Sequence, residues 1–126
     1  MITESHYKYV DPGHINEMAD GDDDFILQII EIYLTTIPDN VNKLSEIAAG
    51  NDYANIIFYT HKLRGSLNFI GGKPLIETLD KIDELCNAQT ALPTIRELVK
   101  EVSVISKHII TELLEIKQQV EAANAG

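Results

Sequence analysis

His61 is followed at helical spacing by a cation and a glycine. Arg64 and Gly65 lie three and four residues after it, and residues at these separations share one face of an α-helix. A neutral imidazole is a good nucleophile near neutral pH, and an arginine keeps its positive charge. Together these residues suit the covalent transfer of an anionic group, such as a phosphoryl group.

The segment around His61 is predicted to form a helix with two distinct faces. It begins at a cap in position 51 or 52 and ends at the glycine pair in positions 71 and 72. A projection at about 100° per residue puts an apolar core face opposite His61, made of Ile56, Tyr59, Leu63, Leu67 and Ile70. The outward face around His61 carries Ala54, Ile57, Phe58, Arg64, Gly65 and Asn68. We therefore expect His61 to be exposed to solvent.

Gly65 is predicted to destabilise the helix, because a glycine inside a helix costs about 1 kcal/mol of stability relative to alanine. Close packing against another helix is the usual explanation of such a glycine. The predicted core, however, lies on the opposite face. We interpret the missing side chain as clearance that lets a partner approach His61.

Apolar side chains and cations flank His61 on the outward face. Ile57 and Phe58 are interpreted as a docking patch, although a lid helix from the N-terminus would be an alternative cover for them. No Asp or Glu occurs between Tyr53 and Ile76. We therefore expect a cationic patch in an acidic protein, suited to a phosphoryl group and to an acidic partner. Its cations are Lys62, Arg64 and Lys73.

Helix signals along the chain predict an all-α fold. Asp11 and Pro12 begin a short lid helix that runs to about residue 18. The first long helix begins at Asp22 to Asp24, continues with a kink through Pro38 and ends at Gly50. After the histidine helix, further helices begin at prolines 74 and 93, and residues 122–126 are expected to fray.

These elements predict an antiparallel four-helix bundle with a short N-terminal lid helix, forming one domain over residues 1–126 with a core from about 11 to 121. The apolar stripe of the first long helix is assigned to Phe25, Ile29, Ile32, Tyr33 and Ile37. The stripe of the last helix is assigned to Ile95, Leu98, Val102, Ile105, Ile109, Leu113, Ile116 and Val120.

Composition excludes several classes of function. The formal charge of −10 over 126 residues argues against binding to nucleic acid or to an anionic membrane, so we expect protein partners. The single cysteine, Cys86, allows no intrachain disulfide and is interpreted as a core residue. No apolar stretch approaches the length of a membrane span, and no signal peptide is evident, so we expect a cytoplasmic protein.

The segment His61-Lys62-Leu63-Arg64-Gly65-Ser66, followed by Asn68 and Gly71, resembles the signature of histidine-containing phosphotransfer (HPt) domains. The family pattern is histidine, any residue, an aliphatic residue, lysine, glycine and serine, with a glycine at the helix end. Arg64 occupies the lysine position, which preserves the charge and changes its geometry. The resemblance extends over nearly the whole chain.

This resemblance implies a phosphorelay intermediate of two-component signalling. His61 would accept a phosphoryl group from a receiver-domain aspartate and pass it to another receiver, with Arg64 stabilising the phosphate and Gly65 providing clearance. Ile57, Phe58, Lys62 and Asn68 would contact the partner, whereas the hydroxyl of Ser66 has either a direct role or a bond back to the carbonyl of Lys62.

The same resemblance implies a carrier protein with no ATP-binding or kinase domain of its own. The partners would be receiver domains of response regulators or hybrid histidine kinases. Mg²⁺ would belong to the receiver, so no metal or cofactor is expected in this chain. We expect a monomer, because one bundle can bury all four apolar stripes. A free-standing protein is favoured over a domain cut from a larger kinase.

Other classes of protein remain as alternatives. One is an HPt-like domain that binds receivers without accepting phosphate, and another is a helical adaptor, which would leave Gly65 unexplained. A metal site would draw on His6, His14, His61 or His108, yet these residues lack the usual ligand spacing. A small-molecule enzyme lacks an acid-base pair, and the glycine pair at 71 and 72 lacks the residues that complete a phosphate loop.

Overall fold

The computed structural model describes residues 7–125. Five helices lie within this range: α1 (Pro12–Ala19), α2 (Asp23–Ala48), α3 (Tyr53–Ile70), α4 (Lys73–Asn87) and α5 (Leu92–Ala125). The connections between the four long helices are short, so that consecutive helices run antiparallel. α2 and α4 each pack against both α3 and α5, which closes a ring of four helices, and α1 packs on α2 and α3. The predicted bundle with a short additional helix is confirmed.

Aspartates begin three of the helices. Asp11, Asp22 and Asp52 each accept a hydrogen bond from the backbone N–H three residues later, at 3.1 Å. Such bonds satisfy N–H groups that have no partner inside a helix. Gly71 ends α3 with a φ of 68°, a left-handed conformation that glycine adopts without steric cost. The starts predicted at residue 11, at residues 22–24 and at residue 51 or 52 are confirmed, with Asp11, Asp22 and Asp52 as the caps.

The apolar stripe predicted for α2 was partly wrong. Ile26, Ile30 and Ile37 are fully buried, whereas Phe25 is 38% exposed and Ile32 is 53% exposed. The N-terminal half of α2 carries isoleucine, leucine or phenylalanine on nearly every side, so spacing alone could not identify the buried face. The helix continues through Pro38, as expected.

The buried positions of α5 follow the predicted stripe closely. In α5, Leu98 and Ile105 are half-buried, and the rest of the predicted stripe is buried. α5 continues to Ala125, so the expected fraying was wrong for residues 122–125, and Gly126 lies outside the described residues. None of the helices within residues 7–125 is long and apolar enough to cross a membrane.

Cys86 lies in the core of α4 and is 1% exposed, as the sequence predicted. Burial raises the pKa of its thiol to about 11, and the nearby Asp83 charge adds to this shift. The thiol is therefore protonated and shielded from solvent near neutral pH.

The segment before α1 is held against α5 by one carboxylate. Glu112 accepts hydrogen bonds from the backbone N–H groups of Lys8, Tyr9 and Val10, each at 3.0 Å. The Tyr9 ring also stacks on the ring of His108, with 4.8 Å between centroids. These contacts fix the chain as it enters α1.

α1 is anchored to the C-terminal end of α3. The Asp11 N–H donates to the Ile70 carbonyl at 2.9 Å, and His14 Nε2 donates to the Asn68 carbonyl at 2.6 Å. These bonds satisfy carbonyls in the last turn of α3, which have no partner within the helix.

Candidate functional site

His61 lies in the middle of α3, and its side chain is 62% exposed. The opposite face of the helix holds Leu63 and Leu67 in the core at 0% exposure. Burial of this face fixes the rotation of α3 and turns the imidazole towards solvent. The predicted exposure of His61 is confirmed.

Gly65, one turn after His61, is exposed, and a Cβ added to it would meet no atom within 4 Å beyond its own neighbourhood in the helix. The explanation of Gly65 by close packing between helices is therefore wrong. The glycine leaves open space beside the imidazole.

Arg64 does not project freely into solvent. One terminal nitrogen of its guanidinium donates to Asp80 Oδ1 at 2.6 Å and lies 2.9 Å from Asp83 Oδ2. Both aspartates come from α4. The expected cationic patch is therefore only partly present, because the neighbouring helix supplies two carboxylates that pair with Arg64. Lys62 and Lys73 remain exposed.

Asp83 connects three residues of α3. It pairs with Arg64, its Oδ1 lies 2.5 Å from the Thr60 hydroxyl, and its Oδ2 lies 3.6 Å from Nε2 of His61. The last distance is too long for a hydrogen bond but lies within ion-pair range for a protonated imidazole. Thr60 is fully buried.

Sequence reasoning missed Thr60 and Asp83. A signal for Thr60 was present, because it falls on the buried stripe of α3 between Ile56 and Leu63. A polar residue on such a stripe needs a hydrogen-bond partner from a neighbouring helix. Asp83 offered a weaker signal, as the residue directly after the buried Ile82 of α4.

The expected docking residues are exposed to different degrees. Phe58 is 51% exposed, so α1 does not cover it, whereas Ile57 is half-buried against the core. The Nζ atom of Lys62 lies 5.2 Å from the centroid of the Phe58 ring and 5.5 Å from that of Tyr59. Tyr59, predicted in the core, is only half-buried. Phe58 and Lys62 thus form a mixed apolar and cationic surface next to His61.

Asn68 and Ser66 lie on the later turns of α3. The Asn68 side chain is exposed, and the backbone carbonyl of this residue accepts the bond from His14. Ser66 is half-buried. Within residues 7–125 the structure contains no hydrogen bond from the Ser66 hydroxyl to the Lys62 carbonyl.

Metal-ligating side chains are not clustered at this site. Over the described part of the chain, no group of three or more His, Cys, Asp or Glu residues is arranged to hold a metal ion. His6, one of the residues considered for such a site, lies outside the described residues.

A ring of four helices with an exposed histidine on one of them is the architecture expected of a phosphotransfer bundle. The family model of the Hpt domain matches residues 28–126. The chain therefore belongs to the Hpt domain family.

A curated relative agrees with this assignment. The chain is 23% identical over 101 residues to the phosphorelay intermediate protein rdeA of Dictyostelium discoideum, an alignment that covers 75% of this chain. The aligned part spans 40% of the length of that relative. No solved structure matches the chain significantly.

Proposed function

We propose that His61 carries a phosphoryl group between receiver domains of two-component signalling proteins. It accepts the group from the aspartyl phosphate of one receiver and passes it to the aspartate of another. The observation that carries this proposal is the 62% exposed imidazole at the centre of α3, beside the open space at Gly65. Membership of the Hpt family and similarity to a protein named as a phosphorelay intermediate support it.

The chemistry requires one nitrogen of a neutral imidazole to attack the phosphorus of the acyl phosphate. The N–P bond forms as the P–O bond breaks, and the receiver aspartate leaves as a carboxylate with the electron pair. The other ring nitrogen keeps its proton, so the phosphorylated ring is cationic.

The residues around His61 have distinct roles in this proposal. Gly65 gives the receiver room to approach, and the guanidinium of Arg64 stabilises the phosphoryl oxygens. Ile57, Phe58, Lys62 and Asn68 contact the receiver surface.

The protein acts as a carrier, and its partners supply both the phosphoryl group and the metal ion that the transfer requires. Mg²⁺ is held by the receiver domain, and this chain contributes no ATP-binding or kinase element. We place the protein in the cytoplasm, where it meets the receiver domains of response regulators or hybrid kinases. We propose that it acts as a monomer and a single domain, because the four long helices bury their apolar stripes within one ring.

The test is incubation with a phosphorylated receiver domain and Mg²⁺. We expect the chain to acquire an acid-labile, base-stable phosphate, and His61→Gln to abolish it. His108→Gln, which alters an exposed histidine of α5, is the matched control and should label normally. Labelling retained in the His61→Gln variant would overturn the assignment of the phosphoacceptor, and a wild-type chain that binds receivers without labelling would overturn the carrier function.

A further inference from the structure

Two carboxylates from α4 form ion pairs with Arg64, the cation that is expected to stabilise the phosphoryl group. Asp80 accepts from the Arg64 guanidinium at 2.6 Å, and Asp83 lies 2.9 Å from the same nitrogen. We propose that Asp80 and Asp83 form an acidic latch on Arg64 that lowers the affinity of His61 for the phosphoryl group. This inference rests on the proposed function of His61 and deepens it.

Competition for Arg64 is the physical basis of the latch. A phosphoryl group on His61 would be a doubly charged anion three residues from Arg64 on the same helical face. Both carboxylates already contact one terminal nitrogen of the guanidinium. The phosphoryl group must therefore share this cation with the carboxylates or displace one of them.

The two acidic residues contribute differently to the latch. Asp83 is 15% exposed and is also held by Thr60, so it keeps its position when Arg64 turns away. Asp80 is 63% exposed, and in the described chain its side chain contacts Arg64 alone among charged groups. Asp80 is thus the carboxylate that a phosphoryl group can displace, and Asp83 is the fixed one.

The latch has a direct consequence for phosphoryl flow. When Arg64 is paired with the carboxylates, its charge stabilises the phosphohistidine less. The phosphohistidine is then less stable relative to the receiver aspartyl phosphate. The equilibrium therefore lies further towards the receivers than it would with a free arginine, which suits a carrier that must release its group. Asp80 and Asp83 act here as positioning residues through Arg64.

The experiment measures how the phosphoryl group divides at equilibrium between one receiver domain and this chain. Asp80→Asn removes the charge with little change in shape and should shift the ratio about two- to fivefold towards the chain, the range expected for one exposed ion pair. Asp80→Glu keeps the charge and should retain the wild-type ratio. Glu77→Gln, an equal change of charge at an exposed position of α4, is the matched control and should leave the ratio unchanged.

A double-mutant cycle isolates the role of Arg64. In an Arg64→Ala background the Asp80→Asn shift should vanish, since no cation remains for the carboxylate to hold. An equal shift in that background, or an equal shift from Glu77→Gln, would show a general effect of charge and overturn the latch. If the wild-type chain labels on His61 but Asp80→Asn leaves the ratio unchanged, the latch fails and the carrier function stands. If His61 does not label at all, the carrier function itself fails.

Discussion

The hydroxyl of Thr60 lies 2.5 Å from Asp83 Oδ1 and joins α3 to α4 directly beside His61. The same hydroxyl lies 2.8 Å from the Ile57 carbonyl. Thr60 is fully buried, and the Asp83 side chain is only 15% exposed. This contact fixes the carboxylate that also pairs with Arg64.

Replacing Thr60 with valine should destabilise the protein by about 1–2 kcal/mol, because the isosteric side chain leaves a partly buried carboxylate without one of its donors. The measurement is urea unfolding followed by circular dichroism. Thr111→Val is the control, since that exposed hydroxyl bonds only to the carbonyl of Lys107 in its own helix. Its effect should stay within about 0.5 kcal/mol, and equal losses at both sites would contradict a special role for the Thr60 contact.

Gly65→Ala should raise the free energy of unfolding by about 0.5–1 kcal/mol, because the added methyl group meets no atom within 4 Å and the helix gains backbone stability. Gly65→Gln should be equally well folded but should slow phosphoryl transfer, since its side chain enters the space beside His61. Thermal unfolding and transfer rates from a phosphorylated receiver measure the two effects. A loss of stability in the alanine variant would show that the site is more crowded than described.

Gly71→Ala should be destabilising for two reasons. The left-handed φ of 68° costs a side chain about 1–2 kcal/mol, and the new Cβ would lie 2.9 Å from the Asp11 Cβ, which forces α1 to move. Gly21→Ala is the matched control, with a φ of 74° and no atom within 4 Å, so it reports the backbone strain alone. Chemical denaturation should show a larger loss of unfolding free energy for Gly71→Ala than for Gly21→Ala. Equal losses would mean that α1 moves away from the new Cβ at no cost in stability.

Glu112→Ala should release the segment before α1 without unfolding the bundle. Three backbone N–H groups lose their charged acceptor, so hydrogen exchange of residues 8–10 should accelerate by about tenfold or more. Amides of α3 should keep their protection. Glu101→Ala, at an exposed position of the same helix, should change neither region, and unchanged exchange at residues 8–10 in Glu112→Ala would show that other contacts hold the segment.

The fold could be predicted from the sequence because its signals are local. Aspartate caps and terminal glycines are recognised within a few residues of sequence, and they located helix starts at residue 11, at residues 22–24 and at residue 51 or 52. The buried face of α2 could not be found this way, because Phe25, Ile26 and Ile32 offered several apolar faces. Only packing against α3 and α5 selects among them.

The same distinction between local signals and packing between helices applies to the candidate site. His61 and Gly65 were identified because their exposure depends on the faces of one helix. The surroundings of Arg64 depend on which part of α4 lies beside α3, and no pattern within a single helix contains that information. Glu112 was missed for the same reason, since the amides it accepts from lie about a hundred residues earlier in the chain.

The burial of Cys86 makes the bundle convenient for spectroscopy. It is the single cysteine in the sequence, and its thiol is inaccessible and protonated near neutral pH. Any cysteine introduced at the surface would therefore be the sole reactive site for a fluorophore or a spin label, with the native residue left in place. Position 58 lies one turn before His61 and is exposed, so a dye attached there would report the arrival and departure of a receiver in real time.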